Sequence, residues 1–297
     1  MQKLIKTLLL ISVVSALQFS AFGRTRLYNA SSIDEINNTL TELLAHQDPR
    51  RALLILPLDA LIVTDHAGFY FDTDDRKGIV KAQLDKISAS KKVYLEEFIL
   101  TNYPQKLADQ GVESFITNIQ KINLPIIVTT ENLAGSVNDI RYLEVWTWNW
   151  LFEKGVDLSK TPVGKKEIRI DSGTKKIGGS YPTFFRGLLS CNSYKKSNAP
   201  QIVMASLLAT KLRWLPSVVY AIDTDESYLK SLEKQFTALR PDIQFEGFIY
   251  KPQLKSPNYN QLSLQELQKF WQDLVEGVNK IQRTELKAKI DDPYENQ

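Results

Sequence analysis

Residues 53–65 read LLILPLDALIVTD, and this stretch decides the fold class. Residues 52–56 are apolar on both faces of an extended chain, which is typical of a strand buried in a parallel sheet between layers of helices. The apolar run ends at Pro57, and Asp59 follows shortly after it. An acid just beyond such a strand lies at the edge where open parallel sheets bind ligands.

Further apolar segments and helical patterns continue along the chain. The predicted strands are IIVTT at 126–130, FFRGLLSC at 184–191, SVVYAI at 217–222 and IQFEGFIY at 243–250. Amphipathic helices are predicted at 32–46, from a cap at Asn198, at 226–239, and from a cap at Ser263. Strands that alternate with helices predict an α/β fold with a doubly wound, mostly parallel sheet.

Changes in composition and periodicity along the sequence predict how the chain is divided into segments. Residues 24–130 form the first part of the core, with a helical insertion at about 66–122. Residues 131–180 form an inserted or cap-like segment, and residues 181–297 form the second part of the core with a C-terminal helix. The WTWNW run at 146–150 is interpreted as rings packed on the main domain, with a ligand or partner surface as the alternative.

The first 23 residues have the pattern of a signal peptide. Lys3 and Lys6 precede an apolar run at 8–17, and small residues follow up to Gly23. We therefore expect cleavage after residue 23 and export to the periplasm or the medium, with no transmembrane span in the mature chain. The alternative is an uncleaved anchor.

Charge and cysteine content exclude several classes of protein. Lys and Arg number 37 against 34 Asp and Glu, which argues against a nucleic-acid surface. Cys191 is the single cysteine, so an intramolecular disulfide is impossible. With two histidines, His46 and His66, a zinc site of the usual kind is not expected.

The residues at the predicted strand ends carry a resemblance. Polar residues stand at the ends of successive predicted strands: Asp59, then Thr129 and Thr130, and then Asp223 and Asp225. This order resembles the haloacid dehalogenase (HAD) superfamily, whose fold is a Rossmann-like sheet. More narrowly, the blocks PIIVTT, FFRGLL, VVYAIDTD and IQFEGFIY resemble an exported bacterial HAD-like family of unknown function, DUF2608. The resemblance covers roughly residues 30–255.

Several departures from the HAD pattern bear on activity. The pattern D-x-D-x-T supplies a nucleophile that also binds Mg²⁺, and a general acid. Here Pro57 holds the nucleophile's place, and Leu61 replaces the bracing hydroxyl. The lysine expected before the late helix falls on Asn198-Ala199-Pro200, although Lys195 and Lys196 lie nearby in sequence. Thr224 stands in place of the acid that usually follows Asp223.

The resemblance and its departures together imply a degenerate catalytic site. The candidate catalytic residues are Asp59 and Thr130, and the ligand-binding candidates are Asp59, Thr129, Thr130, Asp223 and Asp225, with Asp223 as the metal candidate. We expect no cofactor, and a binding or interaction protein whose partner is a small molecule or another protein.

The alternative is a Mg²⁺-dependent phosphohydrolase with displaced motifs. Its acids would be Asp72 and Asp74, which form a literal D-x-D. A second version has Asp59 act on water with His66 or Asp65.

Overall fold

The computed structural model describes residues 25–69, 73–160, 167–171, 174, 176, 177, 179–192, 206–251 and 262–282. The strands are β1 (Thr25–Ala30), β2 (Ala52–Pro57), β3 (Ile62–Thr64), β4 (Gln105–Leu107), β5 (Ile126–Thr130), β6 (Glu167–Arg169), β7 (Thr183–Phe185), β8 (Leu188–Ser190), β9 (Val218–Asp223) and β10 (Gln244–Tyr250). The α-helices are α1 (Ile33–Leu44), α2 (Asp74–Leu84), α3 (Leu95–Asn102), α4 (Val112–Lys121), α5 (Leu143–Glu153), α6 (Glu226–Leu239) and α7 (Leu264–Lys280).

The described part of the chain has a central sheet of eight strands in the order β1-β10-β9-β2-β5-β8-β7-β6. The strands from β1 to β8 in this order are parallel, whereas β7 and β6 run antiparallel to their neighbours. From β2 the chain proceeds outward through β5 to β8, and it then returns to the other side of β2 for β9 and β10. The predicted mostly parallel α/β fold is confirmed, with a topological switch point beside β2.

Helices cover both faces of this sheet. Leu54 and Leu56 of β2 point into a core cluster that includes α1, α4 and α5. Leu53 and Ile55 point to the opposite face, into a cluster that includes α6 and residues of a π-helical segment, Ser206–Lys211. Because successive side chains of a strand alternate between faces, a strand covered on both sides must be apolar throughout.

The prediction of one strand at FFRGLLSC was wrong, because the segment folds back on itself. β7 and β8 form a hairpin whose connecting residues, Arg186 and Gly187, both have positive φ, 47° and 94°. Two central residues with positive φ are typical of a tight type I′ turn. Strand β1 was not predicted, and it extends the sheet by pairing in parallel with β10.

A smaller helical layer is built from distant parts of the chain. Helices α2 and α7 share an apolar cluster that includes Val80, Leu267, Trp271 and Leu274. The predicted cap of α7 is confirmed, since Ser263 and Glu266 form a reciprocal capping box. The indole of Trp271 donates a hydrogen bond to the carbonyl of Gly68 at 3.0 Å. Helix α7 thus packs in one apolar cluster with residues of α2 and α3, which lie far from it in sequence.

Four sequence predictions fall outside the described residues: the signal peptide at 1–23, Asp72 of the alternative motif, the cap at Asn198, and the lysines at 195 and 196. Among the helices that the structure does describe, none combines the length and the apolar character needed to cross a membrane.

Candidate functional site

A cavity of ≈ 470 Å³ opens at the carboxyl edge of the sheet, beside the switch point. It brings together the predicted site residues Asp59, Thr129, Thr130 and Asp223. They meet there because β2, β5 and β9 are adjacent and parallel, so their carboxyl ends lie at one edge.

Pro57 lies at the centre of this edge. It is the last residue of β2, it is buried, and it pairs in register with Thr129 of β5. The chain then makes a single tight turn, in which the Leu61 amide donates to the Leu58 carbonyl at 2.9 Å. This turn carries Asp59 to the exposed rim of the cavity. At the position where the HAD pattern has its nucleophile, the cavity is therefore lined by the ring of Pro57.

The two acids that follow β9 have different positions. Asp223 lines the cavity, is 1% exposed, and accepts a hydrogen bond from the Asp225 amide at 2.8 Å. Asp225 instead caps α6, where it accepts from the amides of Ser227 at 2.8 Å and Tyr228 at 3.4 Å. The structure gives Asp225 a capping position and does not place it among the residues that line the cavity.

The cover of the cavity comes from helix α3 and the small sheet of β3 and β4. Glu96, Ile99 and Leu100 of α3 contribute to the lining, as do β3 and Gln105 of β4. The Gln105 amide is already engaged, since it donates to the carbonyls of Ile99 and Tyr103. Helix α3 and strand β4 therefore lie over the strand ends. In the 131–180 segment, Glu131 and Asn132 line the cavity, while helix α5 packs against β7 and β8.

The tryptophans of α5 pack on the sheet, as the sequence interpretation favoured. Trp148 is buried, and its indole donates to the carbonyl of Arg186 at 3.1 Å. The rings of Trp146 and Trp150 are partly buried against the main core cluster. Phe152 stacks on Trp148 and remains half exposed.

The polar lining of the cavity is strongly acidic. Four carboxylates contribute to it: Asp59, Glu96, Glu131 and Asp223. Among the described residues that line it, none is Lys, Arg or His. A concave site with charges of one sign attracts ligands of the opposite sign.

Two further lining residues are held in their neutral forms by burial. The pKa of the Cys191 thiol is raised by burial and by the charge of Glu131. The pKa of the Tyr228 hydroxyl is raised by burial first, and also by Cys191 and Asp223. Because the thiolate is the reactive form of cysteine, Cys191 is not suited to act as a nucleophile here.

Buried polar side chains fix the segment that follows β5, residues 131–136. The amide of Leu133 donates to Glu97 Oε1 at 2.6 Å, and the amide of Ala134 donates to Asn192 Oδ1 at 2.9 Å. The amide of Gly135 donates to Glu144 Oε2 at 2.7 Å. These three side chains come from α3, from the end of β8 and from α5. Sequence analysis missed them because a side chain that accepts from the backbone of another segment leaves no local sequence pattern.

The donor set does not fit a magnesium ion. Within the described ranges, no group of three or more His, Cys, Asp or Glu side chains is placed to hold a metal. Mg²⁺ requires a near-ideal octahedron of oxygen ligands at about 2.0–2.1 Å. Asp59 and Asp223 share the cavity, yet one oxygen of Asp223 already accepts the Asp225 amide. No reaction step is therefore assigned to a metal.

Three residues of the alternative motifs, Asp74, His66 and Asp65, are not among the residues that line the cavity. Asp74 begins α2 with a fully exposed side chain, and its partner Lys77 lies at 3.8 Å. Asp72 lies outside the described residues. His66 stacks on Phe270 with ring centroids 4.5 Å apart. Asp65 forms an ion pair of 2.7 Å with Lys106, and neither His66 nor Asp65 lines the cavity.

Uncharacterized proteins of Rickettsia species are similar to this chain over most of its length. A protein described as uncharacterized from Rickettsia bellii is 25% identical over 280 residues, covering 89% of this chain and 91% of that protein. Uncharacterized protein RP295 of Rickettsia prowazekii is 25% identical, covering 77% of this chain and 79% of its own length.

The solved HAD domain of effector protein Lem4 from Legionella pneumophila is similar over 77% of this chain and 99% of that domain, with 11% identity and a TM-score of 0.34. The family model described as "Protein of unknown function (DUF2608)" matches residues 29–283. This confirms the narrower resemblance, and the chain belongs to the DUF2608 family.

Proposed function

We propose that this protein is an exported, HAD-like binding protein that takes a small ligand in the cavity at its strand ends and does not transfer phosphoryl groups. The observation that carries the proposal is Pro57, which is buried at the end of β2 beside Thr129 and offers no carboxylate. The ligand site is the cavity that Asp59, Thr130 and Asp223 line.

The loss of a nucleophile outweighs what the remaining groups can supply. Removing the nucleophile of a well-studied hydrolase costs about 10⁶ in turnover. Asp59 remains as a candidate general acid, but without a nucleophile no covalent phosphoryl intermediate forms, so there is no leaving group for Asp59 to protonate. Tyr228 and Cys191 are held neutral, so neither replaces the missing carboxylate. A binding role makes use of the cavity without requiring any of these groups to react.

The dimensions of the cavity suit a small molecule. Ligand sites in proteins have volumes of roughly 300–1,000 Å³ and combine apolar walls with a few polar groups. The cavity of ≈ 470 Å³ lies within that range, and it has this mixed lining. Its location beside a topological switch point is the usual ligand position in open α/β sheets.

A phosphatase assay tests the loss of chemistry. The purified mature protein is incubated with p-nitrophenyl phosphate and Mg²⁺ beside its Asp59→Asn and Asp223→Asn variants. We expect the three proteins to give the same background rate. Turnover by the wild type that falls at least tenfold in either variant would establish the alternative, a Mg²⁺-dependent phosphohydrolase, and overturn the proposal.

Export rests on the pattern of the first 23 residues and has a separate test. After expression in a Gram-negative host, we expect the protein in the periplasmic fraction or the medium with an N-terminus at residue 24. Recovery in the membrane fraction with residues 1–23 intact would support the anchor alternative instead.

A further inference from the structure

A second cavity, a groove of ≈ 420 Å³, lies between helices α1 and α4. Each of these helices leads into a strand of the sheet, α1 into β2 and α4 into β5, so their carboxyl ends lie near the amino ends of those strands. The lining includes both helix ends, Leu44 of α1 and Lys121 of α4. The groove is therefore at the opposite edge of the sheet from the cavity that Asp59 and Asp223 line.

The floor of this groove is apolar and belongs to the main core. Leu40 and Leu44 of α1 and Ile119 of α4 line it, and they are 1%, 7% and 2% exposed. Ile122, at the end of α4, adds an apolar wall that is 42% exposed. The volume is within the range of small-molecule sites. An aliphatic chain in the groove would leave water by packing its methylene groups against these side chains.

The polar side chains of the groove supply hydrogen-bond donors and one positive charge. Asn37, Asn118 and Lys121 each carry N–H groups on side chains of the lining. Among the described lining residues, Lys121 is the one charged residue and none is acidic. The exposed ammonium of Lys121 forms no ion pair with any residue that the structure describes. A carboxylate, which accepts hydrogen bonds and carries the opposite charge, complements this set.

The carboxyl end of α4 does not cancel this charge complementarity. A helix end of this kind carries about half a negative charge, located on its last carbonyls. The chain reverses at Asn123, where φ is 56°, and the Gln120 carbonyl accepts the Asn123 amide at 3.2 Å. The Ile119 carbonyl accepts the Leu124 amide at 3.1 Å. These acceptors are engaged within the chain, and the full charge of Lys121 exceeds the partial charge of the helix end.

We propose that the groove between α1 and α4 binds a free, single-chain fatty carboxylate. Its aliphatic chain lies along Leu40, Leu44 and Ile119, and its head group lies beside Lys121. An inorganic anion gains nothing from the apolar floor, and an aliphatic amine meets a charge of its own sign. This site goes beyond the proposed function, because it is at a different edge of the sheet and shares no lining residue with the first cavity.

Titration calorimetry with defined probes tests the proposal. The probes are the straight-chain carboxylates from hexanoate to dodecanoate, each below the concentration at which it forms micelles, with decan-1-ol and decylamine as comparisons. We expect each added methylene to tighten binding about twofold to fourfold until the chain fills the groove, and then to add nothing. Decanoate should bind about threefold more tightly than decan-1-ol at low salt, and more tightly still than decylamine.

Two substitutions at exposed positions locate the site, and each has a matched control. Lys121→Gln should make the affinities for decanoate and decan-1-ol equal, whereas Lys81→Gln, in α2 outside the lining, should preserve the difference. Ile122→Ser should weaken decanoate about threefold. Leu239→Ser, at a side chain of α6 that is 37% exposed and outside the lining, should leave the affinity unchanged.

Three results would overturn the proposal. They are no carboxylate binding at millimolar concentration, an affinity that rises with chain length and is the same in Ile122→Ser and the wild type, or a preference for decanoate that survives in Lys121→Gln. The first result shows that the groove takes no such ligand, the second shows unspecific partition, and the third places the head group elsewhere. None of them bears on the cavity at the strand ends, so the proposed function is tested separately.

Discussion

Asn192 should be a major stabilising residue of the structure around the cavity. It is fully buried at the end of β8 and has a left-handed backbone, with φ of 62°. Its Oδ1 accepts from the Ala134 amide at 2.9 Å, and its Nδ2 donates to the Ser180 carbonyl at 2.5 Å. We therefore expect Asn192→Ala to destabilise the fold through two separate effects.

The expected size follows from those two effects. Left-handed backbone costs alanine about 1–2 kcal/mol. Loss of the Asn192 oxygen from the buried Ala134 amide costs about 1–3 kcal/mol. The Ser180 carbonyl loses the Asn192 amide but still accepts the Ile177 amide at 3.0 Å, so this loss costs about 0.5–1.5 kcal/mol. The sum is roughly 3–6 kcal/mol of unfolding free energy, with the larger share from hydrogen bonds.

Asn123→Ala is the matched control for the backbone effect. Asn123 also has positive φ, 56°, but its side chain is exposed. Urea unfolding followed by tryptophan fluorescence should show a loss of about 1–2 kcal/mol for Asn123→Ala and roughly 2–4 kcal/mol more for Asn192→Ala. Equal losses in the two variants would refute the assignment of the stability to the Asn192 hydrogen bonds.

Three other predictions follow from single contacts. Gly187→Ala should lower the free energy of unfolding in urea by about 2–4 kcal/mol, because φ is +94° and a Cβ there lies 2.8 Å from a Leu158 carbon. Its control is Gly78→Ala in α2, where a Cβ meets nothing within 4 Å, and this variant should raise the free energy of unfolding by about 0.5–1 kcal/mol. Burial raises the pKa of Glu246 above its ordinary 4.5, so stability is lost as pH rises through the folded pKa, and Glu246→Gln should stabilise the protein at pH 7 more than at pH 4 in thermal unfolding; an equal effect at both pH values would contradict this. Trp271→Phe removes the bond to the Gly68 carbonyl and should cost about 1–3 kcal/mol by urea unfolding, and a neutral result would show that this carbonyl finds another partner.

The buried strands could be predicted because their signal is local. The strands β2, β5 and β9 are apolar on both faces, so short windows of sequence identify them. Strand β1 has an exposed first half, and its pairing partner β10 lies more than 200 residues away. Residues 25–30 form a strand because they pair with β10, and the local sequence pattern does not reveal that pairing.

The hairpin of β7 and β8 was missed for a different reason. Its turn is Arg186-Gly187, and arginine is not among the residues that usually signal a turn with positive φ. The glycine was the available signal. A glycine between the apolar pairs Phe184-Phe185 and Leu188-Leu189 fits a two-residue turn as well as a continuous strand.

The candidate site was predictable where it depends on parallel strands. Asp59, Thr129, Thr130 and Asp223 follow strands whose carboxyl ends share an edge, and they line one cavity. Glu96 belongs to a helix that lies over this edge through tertiary packing. The adjacent acids Glu96 and Glu97 look equivalent in sequence, but one is exposed in the lining and the other is 1% exposed and binds the backbone.

Asp225 was predicted to bind a ligand, whereas in the structure it caps helix α6. An acid directly before a helical pattern is a common N-cap, and Asp225 accepts from two amides of the first turn of α6. Its nearness to Asp223 in sequence suggested a shared ligand. The backbone turn between them directs the two carboxylates to different partners.

The long separation between α7 and the helices it covers constrains how the chain can fold during synthesis. Residues 74–102 leave the ribosome well before residues 264–280, which complete their apolar cluster. Until then the earlier helices have an uncovered face, and such surfaces favour aggregation. A nascent chain of this protein should therefore depend on a holding chaperone until its last helix emerges.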